Sequence, residues 1–178
     1  HLDEEKIVNG TKLPLISSII SDLPWNDLEN GISSFIHGDL QFENIIYNNK
    51  SSDQFKLIDW RQDFSGNIEF GDLYYDLSKL YAGIILNYDF IRLNKFSFLE
   101  DKDSIHFDFP KRFLSNDYLN ILSEYIKSNG YSLKKVKLIV GIIYLNMAPL
   151  HHKPFDKLLF YLSKYILFEE LSSYEKNK

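Results

Sequence analysis

FIHGDLQFENIIYN, residues 35–48, sets one histidine, two acids, a glutamine and Asn44 between two short apolar runs. Polar groups held against strand-like flanks are costly to bury unless something pairs with them. Gly38 lets the backbone take a tight angle just before Asp39. The run SSFI ends there, so Asp39 is expected to project from a loop held at a sheet edge. Asn44 opens the next run, and FKLIDW ends a further one at Asp59. Two neighbouring strands would therefore deliver Asn44 and Asp59 to one place.

An amide oxygen plus a carboxylate is a hard oxygen set, suited to a Mg²⁺ that keeps waters and also binds phosphates. Asp39, close by but separately placed, can take a proton from an incoming hydroxyl. These are the parts needed to move a phosphoryl group, since a metal neutralises phosphate charge and a carboxylate orients the attacking oxygen. The order His37, Gly38, Asp39, four residues, Asn44, and later Asp59 follows the spacing of a kinase catalytic loop and its second metal-binding aspartate.

HGDLQFEN, then KLIDW, then EFGDLYYDLSKL, resembles the aminoglycoside phosphotransferase and choline kinase-like family, whose signature is HGDxxxxN, IDF or IDW, and GDxxxDL. The three blocks stand in order over residues 35–80, about a quarter of the chain. The resemblance implies an α+β fold: a mostly helical, protein kinase-like C-terminal lobe whose few short strands carry the catalytic loop. It implies ATP or GTP with Mg²⁺ as cofactors and a small-molecule hydroxyl as acceptor, on a sugar, an amino sugar or an amino alcohol such as choline. It implies Asp39 as the catalytic base, Asn44 and Asp59 as metal ligands, and His37 and Asp76 as braces for the loop. In such a fold a helix carboxylate near Asp76 accepts backbone N–H bonds from the catalytic loop, while Asp72, at a helix start, is placed to cap that helix.

Departures from the family pattern bear on substrate. Gln41 sits where protein kinases often have lysine and this family often histidine, so it offers a phosphate hydrogen bonds but no charge. Arg61 follows IDW where a small or acidic residue is commoner, and it is placed to touch a phosphate or pair with Asp63. His151 and His152, in PLHHKPF, are candidates for a loop or substrate contact; adjacent histidines point apart on most backbones, so a zinc site is not expected. The thirty-six residues before His37 show no Gly-rich loop and no strand bearing a lysine. The chain, which begins with His1, therefore reads as the C-terminal lobe of a kinase whose N-terminal lobe belongs to an absent upstream segment or is supplied by another chain. Alone it is expected to be inactive.

Around the cluster the chain divides by pattern. Residues 11–22 read as a helix stopped by Pro24. Residues 33–37, 44–48 and 55–59 read as strands, with a hairpin turn over 48–53. From residue 70 to 178 the character is helical. Leu73, Leu77, Leu80 and Ile84 mark one helix. A second spans 116–128 and is closed by Asn129-Gly130. A third, capped by Ser132, spans 133–147 and is apolar on most sides. The last begins near Phe155. Tyr118, Tyr125, Tyr161 and Tyr165 are expected in the core. Residues 94–112 read as a long connection with a short strand over 105–109, and such connections often carry function.

The 178 residues, 44% apolar, suffice for one domain with a real core. A net charge of -5 without a basic face argues against nucleic acid. With no cysteine, disulfides and thiol chemistry are excluded. That, with no visible signal peptide, fits the cytoplasm. The longest apolar run, LIVGIIYL, is too short to span a bilayer. Two other readings of the cluster stay open: a non-catalytic kinase-like module that only binds a ligand, and a metal-dependent phosphoesterase built on Asp39, Asp59 and His37.

Overall fold

The computed structural model describes residues 4–50 and 52–175, and shows an α+β chain in which helices and small sheets are segregated. Helices α3 (Leu73–Ile85), α6 (Leu133–Met147) and α7 (Phe155–Glu175) form its centre. Val136, Leu138, Val140 and Tyr144 of α6 are buried, as are Leu158, Leu159, Tyr161 and Leu167 of α7. Burying each such side chain contributes about 1.5–3 kcal/mol. The Tyr144 hydroxyl, inside this core, donates to the Ala82 carbonyl at 2.7 Å, tying α6 to α3. As the all-round apolar pattern suggests, α6 is covered on most sides. Ser132 caps it by accepting from the Lys135 N–H.

The first surprise lies at the start. Residues 11–22 are not one helix. Strands β1 (Lys6–Val8) and β2 (Thr11–Leu13) form a hairpin, and α1 (Ile16–Ser21) begins only after Pro14. The turn is Asn9-Gly10, with φ of 46° and 86°, the positive-φ pair that two-residue hairpins favour. So the region before His37 does hold a strand bearing a lysine. Lys6, however, is spent on structure: its ammonium donates to the Lys102 carbonyl at 2.5 Å and pairs with Glu4.

The second surprise is the partner of that hairpin. Residues 94–112 hold a β-hairpin of their own, β7 (Ser97–Glu100) and β8 (Ser104–Asp108). Strand β8 runs parallel to β1, giving a four-stranded sheet in the order β2-β1-β8-β7. Val8, Leu13 and Ile105 from this sheet are fully buried in the common core.

The remaining strands are short and frame the polar cluster. β3 (Ser33–Ser34) pairs with β6 (Gly71–Asp72), and β4 (Ile45–Tyr47) pairs with β5 (Phe55–Leu57). The strand expected over 33–37 thus stops at Ser34, leaving His37 in a loop. The one expected over 55–59 stops at Leu57, two residues before Asp59. The turn between β4 and β5 includes Ser51, which lies outside the described residues. Helix α2 (Trp25–Glu29) is anchored by Lys135, whose ammonium reaches the Asp27 and Asn30 carbonyls at 2.5 and 2.6 Å. Helices α4 (Tyr88–Arg92) and α5 (Ser115–Ser128) complete the set. On α5, Tyr118 and Tyr125 are exposed rather than in the core. They flank the stripe that buries Leu122 and Ile126. Among the described residues no helix is long and apolar enough to cross a membrane.

Candidate active site

Helix α3 sets the geometry of the HGD loop. Asp72 caps it, accepting from the Tyr74 N–H at 3.0 Å, and also accepts from Ile32 across the β3–β6 pair. One turn in, the buried Asp76 carboxylate accepts the His37 N–H at 2.6 Å and the Gly38 N–H at 2.8 Å. The loop is fixed from its other side as well. Asp39 N–H donates to His37 Nδ1 at 3.2 Å, and His37 Nε2 lies 2.8 Å from the Ile58 carbonyl. That pattern fits the imidazole tautomer with its hydrogen on Nε2. The ring also packs on Trp60, centroids 4.8 Å apart. His37 is therefore a bracket between the HGD loop and the segment after β5.

Gly38 is required twice over. Its φ is +78°, and a Cβ there would come within 2.7 Å of the Arg61 side chain. The Arg61 N–H in turn donates to the His37 carbonyl at 3.0 Å.

Asp39 is buried, and its two oxygens have different surroundings. Oδ1 is held by Lys79, an ion pair at 2.6 Å between side chains that are each 12% exposed. Oδ2 has only distant neighbours, Asn44 Nδ2 at 3.5 Å and Arg61 at 3.7 Å. Asn44, buried as a 3-10 turn enters β4, donates its amide to the Asp39 carbonyl oxygen at 2.9 Å. Its own side-chain oxygen is thereby turned away from Asp39.

Just past β5, the Ile58 N–H donates to the Asn44 carbonyl at 3.0 Å. Asp59 has φ +60° and is exposed. A left-handed non-glycine residue costs about 1–3 kcal/mol and persists only where its surroundings enforce it. Here both Ile58 backbone groups, bonded to Asn44 and His37, enforce it.

Asp39, Gln41 and Arg61 open into a cleft of about 730 Å³, whose far wall comes from α4, α6 and the residues after it, including Tyr88, Met147 and His151. Gln41 lies against α3 at Gly83. Burial and the neighbouring His152 lower the basicity of His151, and its ring packs on Phe155 at 4.9 Å. Burial, followed by Glu43 and Asp39, pushes the Tyr88 phenol far above its ordinary value. Both groups therefore face the cleft uncharged near neutral pH.

The other sequence candidates fall outside this cleft. Asp59 and Asp63 line a separate polar hollow of about 500 Å³, and Arg61 borders both spaces. Asp63 does not pair with Arg61; its carboxylate accepts the Gly66 N–H at 3.0 Å, closing a turn. His152 is exposed and bonded to the adjacent Lys153 carbonyl. Among the described residues no group of three or more His, Cys, Asp and Glu side chains could hold a metal ion.

Two features of the cleft escaped the sequence reading. Lys79 is one, although it stands three residues after Asp76 and four before Gly83, so all three share one face of α3. The second is Arg112, at the end of the 94–112 segment, which pairs with Glu43 at 3.0 Å and lies over the Phe42 ring. No local signal joins positions sixty-nine residues apart. Searches of protein-family models, of curated proteins and of solved structures find no match to this chain.

Proposed function

We propose that this chain is the catalytic lobe of a small-molecule kinase, moving the γ-phosphate of a nucleoside triphosphate, with ATP first, to a hydroxyl. The observation that carries the reading is the HGD loop itself. A buried carboxylate stands at the floor of a cleft, held by Lys79 through one oxygen and left with its other oxygen open. Asp39 Oδ2 accepts the proton of the acceptor hydroxyl as that oxygen attacks phosphorus. General base catalysis of this kind contributes about 10²–10⁴-fold. Asp76 and His37 do no chemistry; they hold the loop in register. The fit of a metal is supported by the donor set, the Asn44 side-chain oxygen and the Asp59 carboxylate, to which a Mg²⁺ that keeps its waters is suited. When bound, that ion would neutralise phosphate charge. The Lys79 ammonium supplies, from α3, the positive charge that Gln41 lacks. The exposed Ile46, Tyr47 and Phe55 of the β4–β5 hairpin give a nucleotide, and the N-terminal lobe that covers it, an apolar floor.

One observation favours a second reading. The Lys79 pair occupies half of the Asp39 carboxylate, as it would in a module that binds a ligand without turning it over. Incubating the full protein with γ-labelled ATP, Mg²⁺ and a panel of hydroxyl acceptors separates the cases. Label on an acceptor supports the kinase, label only in free phosphate indicates a phosphoesterase, and label retained in ATP indicates a binding module.

A further inference from the structure

Both carboxylates that line the cleft are already engaged within the protein. Asp39 is paired with Lys79 at 2.6 Å, and Glu43 with Arg112 at 3.0 Å. The cations are less committed. The Arg61 side chain is 65% exposed at the cleft mouth, and its nearest carboxylate lies 3.7 Å away. Arg92, across the cleft, is 68% exposed and pairs only with Asp89 on its own short helix. An exposed pair of that kind holds a side chain weakly. The remaining polar lining is neutral: Gln41, Tyr75, the protonated Tyr88 phenol, Asn146, and a His151 whose basicity is lowered. An ammonium-bearing acceptor entering this space meets two exposed arginines, and the one open carboxylate oxygen, Asp39 Oδ2, is the oxygen its hydroxyl needs.

We propose that the cleft takes an acceptor with an anionic group, a phosphate or carboxylate on a small polyol or sugar, whose charge rests between Arg61 and Arg92 while a hydroxyl points at Asp39. The inference rests on the kinase reading only in taking this cleft as the acceptor side. It narrows the acceptor class away from amino sugars and amino alcohols. A space of about 730 Å³ lies in the range of small-ligand sites. The same arginines offer carboxylate and phosphate a bidentate partner.

The test is equilibrium binding by titration calorimetry to the full protein, using one skeleton with four charges: glucose 6-phosphate, glucuronate, glucose and glucosamine. The two anions are expected to bind about ten-fold tighter than glucose, with glucosamine weakest. Their order relative to one another identifies phosphate or carboxylate as the favoured group. Arg92→Gln, on an exposed side chain that does not line the Asp59 hollow, should weaken the anion preference while ATP affinity stays within about two-fold. Glucosamine binding as well as the anions, no anion binding at millimolar concentration, or loss of ATP affinity in place of anion affinity would overturn the assignment. None of these readings requires phosphate transfer, so a failure here is distinct from a failure of the kinase reading.

Discussion

At the scale of single residues, the site is a set of obligations around one carboxylate. Asp76 offers two oxygens to two loop N–H groups. Asp76→Asn keeps the shape but turns a donor toward one of those N–H groups. Thermal or denaturant unfolding should show a loss of about 1–3 kcal/mol, the cost of an unmet buried partner; an unchanged midpoint would remove Asp76 from its bracing role. Lys79 gives a sharper distinction. Lys79→Gln should lower kcat about a hundred-fold with little change in nucleotide KM, in the range seen when one charge-stabilising donor is removed. Lys79→Arg should recover part of that loss. If Lys79 only supports the fold, both variants would shift the unfolding midpoint and leave kcat of the folded protein intact. The bracing of the HGD loop by Asp76 and the cap supplied by Asp72 were legible in the sequence, because the chain spells their spacing from that loop and from the helix start. Lys79 was one helical turn from legibility. Glu43–Arg112 was not legible, since only the tertiary fold brings those positions together.

At the scale of elements, the helices could be read because each buries a stripe. The boundaries 133–147 follow from Ser132 and the apolar run alone. The start of the chain was misread for an instructive reason. Leu15, Ile19 and Ile20 mimic a helical stripe, whereas Asn9-Gly10 is a hairpin turn whose strands pair with each other and, through β1, with β8. That partner lies almost a hundred residues away, and periodicity does not register it. The HGD loop is an element in its own right, and Gly38 is its hinge. Gly38→Ala meets both a left-handed backbone and the Arg61 side chain at 2.7 Å. It should cost about 1–3 kcal/mol in unfolding experiments and displace Asp39 from the cleft floor. Wild-type stability in this variant would mean that the loop relaxes freely, and the rigid positioning of Asp39 would lose its support.

At the scale of the whole molecule, α3, α6 and α7 form one core that carries the sheet on one side and the site on another. Leu159→Ala, buried near the start of α7, should lower global stability by about 2–5 kcal/mol without altering nucleotide affinity of the folded fraction. Buried phenols give the fold a limit at high pH. Burial, then Glu100 and Glu4, raise Tyr161 to about 12, and burial raises Tyr144 and Tyr88 further. The folded state thus holds protons that the unfolded chain releases near pH 10, so stability is full below pH 10 and falls as pH rises toward 12. Tyr161→Phe should flatten part of that fall in unfolding curves taken across this window, and an unaltered slope would contradict it. The most direct test compares the full protein with its Asp39→Asn variant, measuring ATP-dependent phosphorylation of an acceptor beside Mg²⁺-nucleotide binding. The expected result is transfer reduced by about 10²–10⁴-fold with nucleotide affinity preserved. Transfer at the wild-type rate would contradict the assignment of Asp39 as the catalytic base.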